Sequence, residues 1–184
     1  MKITNFLMLL TTLMIGLTSC GGSKKAATTA EPSAISGIEQ QVTGIDGDAS
    51  LVEKTADVKV PEKAKISTFT DANGTIQKIT KVSTTAAGEK TSNYFFVDNN
   101  LVFSRHTEKN GLKEKGKTIF TEKKYFFGDN KLLSAMMKET KVSTKDLANA
   151  DMKIAKSKFK EFVPTINVLR DEMGIIKKLK QTVK

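Results

Sequence analysis

Two nine-residue phrases, Tyr94-Phe95-Phe96-Val97-Asp98-Asn99-Asn100-Leu101-Val102 and Tyr125-Phe126-Phe127-Gly128-Asp129-Asn130-Lys131-Leu132-Leu133, share six identities at an offset of 31 residues. Each places an aromatic β-type run before an Asp-Asn turn and an aliphatic run after it, the pattern of a β-hairpin. An internal repeat of this kind is one supersecondary unit used twice. The chain must therefore accommodate at least two similar hairpins, which points to an antiparallel sheet built from local pairings.

A third hairpin precedes them. Residues 65–70 and 75–83 flank Asp71-Ala72-Asn73-Gly74, where Asn-Gly supplies the positive φ that a tight turn needs. The repeated pair reads as strands over 93–97 and 101–107, then over 117–127 and 131–138, which gives about six strands in all. The aromatic, Asp-Asn, aliphatic phrase resembles hairpins found in many exported repeat-containing bacterial proteins, a likeness that names no activity. Asp and Asn at Asp98 and Asp129 are read as turn chemistry, since these side chains bond their own backbone, rather than as calcium ligands.

Past Lys141 the pattern becomes helical. Ser143 and Thr144 are candidate caps, and Leu147, Met152, Ile154, Ala155, Phe159 and Phe162 follow until Pro164 breaks the run. A second stretch carries Ile166, Leu169, Met173, Ile176, Leu179 and Val183 in steps of 3, 4, 3, 3 and 4 along one helical face. Strands first and helices last predict an α+β domain, with two C-terminal helices packed on one face of the sheet.

The amino terminus has a different character. Lys2 precedes an apolar run from Phe6 to Leu17, twelve residues long, which suits the core of an export signal and is too short to span a bilayer as a helix. The segment Leu17-Thr18-Ser19-Cys20 resembles the lipobox of bacterial lipoproteins at all four positions. The resemblance implies cleavage before Cys20, a diacylglyceryl thioether on its sulfur and a further acyl chain such as palmitate on the new amino terminus. Two or more chains hold a protein firmly to a bilayer where one does not. Cys20 is the sole cysteine in the sequence, so no internal disulfide competes for it. The second mature position is Gly21 rather than aspartate, which in such families leans toward the outer membrane, here facing the periplasm.

The expected layout is a signal peptide over 1–19, a lipidated Cys20 with a flexible tether over 20–62, and an α+β domain over 63–184, divided into hairpins (63–140) and helices (141–184). The tether reading rests on a stretch rich in Ala, Thr, Ser and Gly with no aromatic residue, which buries too little to offset its ordering entropy. Within it, Val42, Ile45, Leu51 and Val52 are the residues available to dock as a short strand or turn.

The chemistry visible in the sequence is sparse. His106 is the one histidine, which excludes a two-histidine metal site, and its expected place is a half-exposed position on a strand. No nucleophile elbow, phosphate loop or dinucleotide fingerprint is present. The sequence therefore points to no catalytic set, no metal site and no cofactor. The formal charge of +10 fits anionic envelope polymers or another envelope protein as partners, beside the bilayer reached through Cys20. The lysines are scattered, and the export signal argues against nucleic acid. The first functional reading is a membrane-anchored envelope lipoprotein with a non-enzymatic binding or structural role. The second is a carrier of a lipid or hydrophobic ligand, with Tyr94, Phe96, Tyr125, Phe127, Met136 and Met137 as candidate cavity lining. The third is an envelope hydrolase using paired carboxylates.

Overall fold

The computed structural model describes residues 32–58 and 63–183, so the export signal and Cys20 lie outside the described residues. The elements run α1 (Pro32–Gly47), β1 (Val52–Val58), β2 (Lys63–Thr70), β3 (Ile76–Thr85), β4 (Gly88–Val97), β5 (Asn100–Glu114), β6 (Lys117–Gly128) and β7 (Lys131–Ser143). A 3-10 turn (Thr144–Asn149), α2 (Ala150–Lys156), β8 (Lys160–Glu161) and α3 (Val168–Thr182) complete the chain. The strands form one antiparallel sheet in sequence order, eight strands among the described residues where about six were expected. The fold is α+β.

The repeated phrase is repeated in three dimensions down to its irregularities. Asp98 and Asn99 have φ of 50° and 63°, and Asp129 and Asn130 have φ of 50° and 55°. Each pair therefore makes a two-residue hairpin turn with both central residues left-handed, the geometry that matches strand twist. Pairing resumes at Val97↔Asn100 and Gly128↔Lys131. In both hairpins the second strand then carries one extra residue, Val102 opposite the Phe95–Phe96 step and Leu133 opposite the Phe126–Phe127 step. A bulge of this kind sharpens twist and re-aims side chains. The β2–β3 turn is held by Asp71, whose Oδ1 accepts from Asn73 N at 2.9 Å and Thr75 N at 2.8 Å, with Gly74 at φ 79°. At Gly88, φ is +146°, and a Cβ there would lie 1.9 Å from the Lys109 carbonyl oxygen, so the close approach of two backbones requires glycine.

Alternation along a strand explains why both faces of the sheet are buried. In Tyr94-Phe95-Phe96 and Tyr125-Phe126-Phe127 the outer residues face one side and the middle phenylalanine the other. The outer four join Ile66, Ile79, Leu101 and Ala135 beneath Val168, Ile176 and Leu179 of α3. Phe95 and Phe126 join Phe103 on the opposite side, where Ile38 covers them, with Ile35, Val42 and Ile45 packed around. The four repeat phenylalanines are at most 1% exposed. Each fully buried ring contributes on the order of 2–3 kcal/mol of transfer free energy.

That second layer corrects two expectations. Helices cover both faces of the sheet, not one, and the stretch read as a tether holds α1 and β1. The apolar residues of α1 are few but fall at steps of 3, 4 and 3 (Ile35, Ile38, Val42, Ile45), which makes one stripe. The rings at Phe95 and Phe126 supply the surface that stabilises it. β1 pairs with β2 along its whole length as an edge strand with largely exposed side chains, so backbone pairing rather than a hydrophobic pattern defines it.

The first C-terminal helix is also shorter than expected, ending at Lys156. Beyond it the chain extends to cover the β7 edge: Met136 and Met137 pair with Glu161 and Lys160, and Phe162 N donates to the Ala135 carbonyl at 3.1 Å. Phe159 leaves the helical face to lie 4.5 Å and 4.7 Å from the Lys124 and Lys138 ammoniums. α3 begins at Asn167, whose side chain accepts from Arg170 N at 3.1 Å as an N-cap. Among the described residues no helix is long and apolar enough to cross a membrane.

Candidate functional site

Strand register arranges the α3 face in rows. One step in from the Phe96–Leu101 and Phe127–Leu132 pairs beside the turns, the row is Ile79, Tyr94, Ser104, Tyr125 and Ala135, cross-strand neighbours in that order. Two residues further along each strand the row reads Lys81, Ser92, His106 and Lys123. The next reads Ser83, Lys90, Glu108 and Thr121. With strands about 4.8 Å apart and rows about 6.8 Å apart, this face changes from aromatic to polar within one row.

α3 covers the aromatic row and leaves the polar rows partly open. The result is a pocket of about 340 Å³, with a floor of hydroxyls, ammoniums and the His106 ring, and a wall made by Ile166, Val168 and Ile175. Ile166 and Ile175 are 61% and 43% exposed. They form an apolar lip over a polar floor.

His106 sits where floor and wall meet. Its Nε2 lies 2.6 Å from Glu172 Oε1, and its Nδ1 lies 2.9 Å from Ser92 Oγ. The Tyr94 and Tyr125 rings meet the imidazole edge-on at centroid distances of 5.7 Å and 5.8 Å. Ser104 Oγ donates to the same carboxylate oxygen of Glu172 at 3.3 Å. Side-chain exposure is 16% for His106 and 7% for Glu172. The carboxyl is therefore a buried polar group held by contacts from the sheet, the condition under which such a group is tolerated. Its Oε2 makes no hydrogen bond among the described residues.

Burial pushes the Tyr94 phenol well above its ordinary pKa, and the charge of Glu172 adds to the effect. Tyr125 is raised for the same two reasons in the same order. Both phenols thus stay neutral at physiological pH and act as hydrogen-bonding, not charged, groups.

The contact order Ser92, His106, Glu172 has the connectivity of hydroxyl, base and orienting carboxylate. Ser92 lies mid-strand, however, paired to Lys81 on one side and His106 on the other, so its backbone belongs to the ladder and offers no oxyanion-binding turn. Among the described residues no group of three or more His, Cys, Asp or Glu side chains could hold a metal ion.

The six residues expected to line a cavity do not share one. Tyr94 and Tyr125 line the pocket, whereas Phe96 and Phe127 are packed into the core beneath α3. Met136 points to the opposite face and packs with the Phe95 cluster, and Met137 is half-buried where β8 pairs with β7. His106 is more buried than its expected half-exposed place, because α3 brings Glu172 over it. Glu172 was missed. It interrupts the Leu169–Met173 stripe, and the structure buries it in preference to Met173, which is exposed.

Comparison with protein-family models, with curated proteins and with solved structures finds no match to this chain.

Proposed function

We propose that the chain is a membrane-anchored lipoprotein of the bacterial cell envelope whose folded domain binds a small ligand in the pocket beside α3, in a non-enzymatic role. The observation that carries the binding reading is the His106–Glu172 pair, a buried ionisable contact at the floor of an open pocket. A purely structural core would place apolar side chains there more cheaply. The anchor reading rests on Leu17-Thr18-Ser19-Cys20. Its natural setting is the outer membrane, with the domain facing the periplasm. Residues 21–31 separate Cys20 from α1, and a chain of that length spans at most roughly 40 Å. An acylated Cys20 would hold the domain close to the headgroups.

Two experiments test the two halves. Cys20→Ala should abolish palmitate labelling and release the protein from membranes, and unchanged labelling would defeat the anchor. Native mass spectrometry of the envelope-purified protein should show an added mass of small-molecule size that His106→Leu loses. A wild type free of any added mass would defeat the binding role. A second reading, an envelope hydrolase, is favoured by the Ser92, His106, Glu172 contact order. Release of nitrophenol from nitrophenyl acetate that disappears in Ser92→Ala would replace the binding reading with it.

A further inference from the structure

The pocket lining is formally balanced, with Lys81, Lys90 and Lys123 against Glu108, Asp171 and Glu172. Glu108 stands opposite Lys90 across the β4–β5 ladder without forming an ion pair with it. Glu172 accepts from Ser104 and contacts His106, Asp171 pairs with Arg170 Nε at 3.3 Å, and Glu108 accepts from Asn110 Nδ2 at 3.2 Å. Each acid in the lining therefore has one carboxylate oxygen engaged. Among the described residues, the ammoniums of Lys90 and Lys123 have neither an ion-pair nor a hydrogen-bond partner. They stand on the floor on either side of Ser92 and His106, in adjacent rows. Opposite them is the aliphatic wall of Ile166, Val168 and Ile175.

We propose that this pocket takes an anionic amphiphile, a carboxylate or phosphate group carried on a short aliphatic chain. The anionic head lies on Lys90, Lys123 and the Ser92 hydroxyl, and the chain lies against Ile166 and Ile175. The proposal rests on the binding reading above and adds the ligand class. Two ammoniums outside any ion pair, beside the Ser92 hydroxyl, favour an anion over a cation, because a cation would have to displace partners the acids already hold. The exposed isoleucines favour an aliphatic group over a bare anion, since their burial against it is an added gain. A phosphate of this class is supplied by a free molecule or by a lipid headgroup.

The protein reports on this site without a label. It has two tyrosines and no tryptophan, and both tyrosines line the pocket. The experiment follows tyrosine emission of the full chain carrying Cys20→Ala, so that no acyl chain of its own competes, as octyl phosphate, octanoate, 1-octanol or inorganic phosphate is added. Octyl phosphate and octanoate should change the emission saturably, with 1-octanol and inorganic phosphate at least tenfold weaker. Lys123→Glu should weaken octyl phosphate on the order of tenfold or more, while Lys54→Glu, the same charge change on the exposed edge strand β1, should not. Vesicles of phosphatidylglycerol that reproduce the change assign the head to the bilayer. Vesicles without effect assign it to a free molecule. Octanol binding as tightly as octyl phosphate would overturn the anionic class while leaving a ligand site in place. Emission unmoved by all the octyl probes would overturn the inference, and the mass-spectrometric result then decides the binding reading separately.

Discussion

His106 Nε2 and Glu172 Oε1 lie 2.6 Å apart, joining strand β5 to helix α3 across 66 residues of sequence. Removing either partner strands the other in a largely dry setting, which for a buried pair costs about 3–5 kcal/mol. His106→Leu and Glu172→Leu should therefore each lower stability by roughly 3 kcal/mol, read from urea midpoints at constant slope. The double variant should cost far less than the sum, because neither group is then left buried without the other. Strictly additive losses would mean that the two groups do not stabilise one another.

The paired turns make a second prediction. Asn99 and Asn130 hold φ of 63° and 55°, a region glycine occupies without Cβ strain. Asn99→Gly and Asn130→Gly should leave stability unchanged or raise it by up to about 1 kcal/mol. Asn99→Val should cost on the order of 1–2 kcal/mol, since a β-branched residue resists the left-handed region. Thermal melts of the variants decide it, and a neutral Asn99→Val would contradict the turn geometry.

Glu114 tests the electrostatics at the far end of β5. Hydrogen bonds from Lys117 and then Lys141, at 2.6 Å and 2.9 Å, hold its carboxyl at about 2, below its usual 4.5. A depressed carboxylate contributes stability that is present above the unfolded value and is lost as pH falls through the folded one. The contribution should fade between about pH 4.5 and 2, and it should be small because the group is exposed. A carboxyl titration followed by NMR should place Glu114 near 2 in the native chain and move it upward in Lys117→Met.

Tyr94 behaves in the opposite sense. Its phenol is raised by burial and by the charge of Glu172, so above its ordinary value of 10 the unfolded chain releases a proton that the folded chain keeps. Stability should therefore fall as pH rises past 10. Phenolate absorbance should show Tyr94 ionising only as the protein unfolds. In Glu172→Gln it should ionise at lower pH, and no shift would mean the carboxylate does not act on it.

These residues also show what the sequence could convey. The hairpins were legible because turn chemistry and aromatic runs are local, and Asp98-Asn99 and Asp129-Asn130 settle their geometry with nearest neighbours alone. Helix α1 was hidden because its stripe is four side chains in a polar stretch. Its stabilisation comes from Phe95 and Phe126, at least 50 residues away. One signal was available: alternation within Tyr-Phe-Phe sends the middle ring to a second face, which then needs a cover. The pocket was less accessible still. Glu172 occupies a position between apolar stripe residues and is buried only because His106, distant in sequence, lies beneath it. The fall from Tyr94 to Ser92 to Lys90, matched by Tyr125 to Lys123, did record that this face turns polar away from the turns.

The most direct test of a ligand site beside α3 is a chain isotope-labelled at its tyrosines and phenylalanines, with the Tyr94, Tyr125, Phe95 and Phe126 ring resonances followed by NMR as octyl phosphate is added. Both rings meet His106 and line the pocket, and the phenylalanines under α1 lie on the other side of the sheet. Saturable shifts of both tyrosines, weakened about tenfold or more in Lys123→Glu and unaccompanied by shifts of Phe95 or Phe126, are the predicted result. Tyrosine resonances that stay in place while the α1 face responds, or while nothing does, would contradict it.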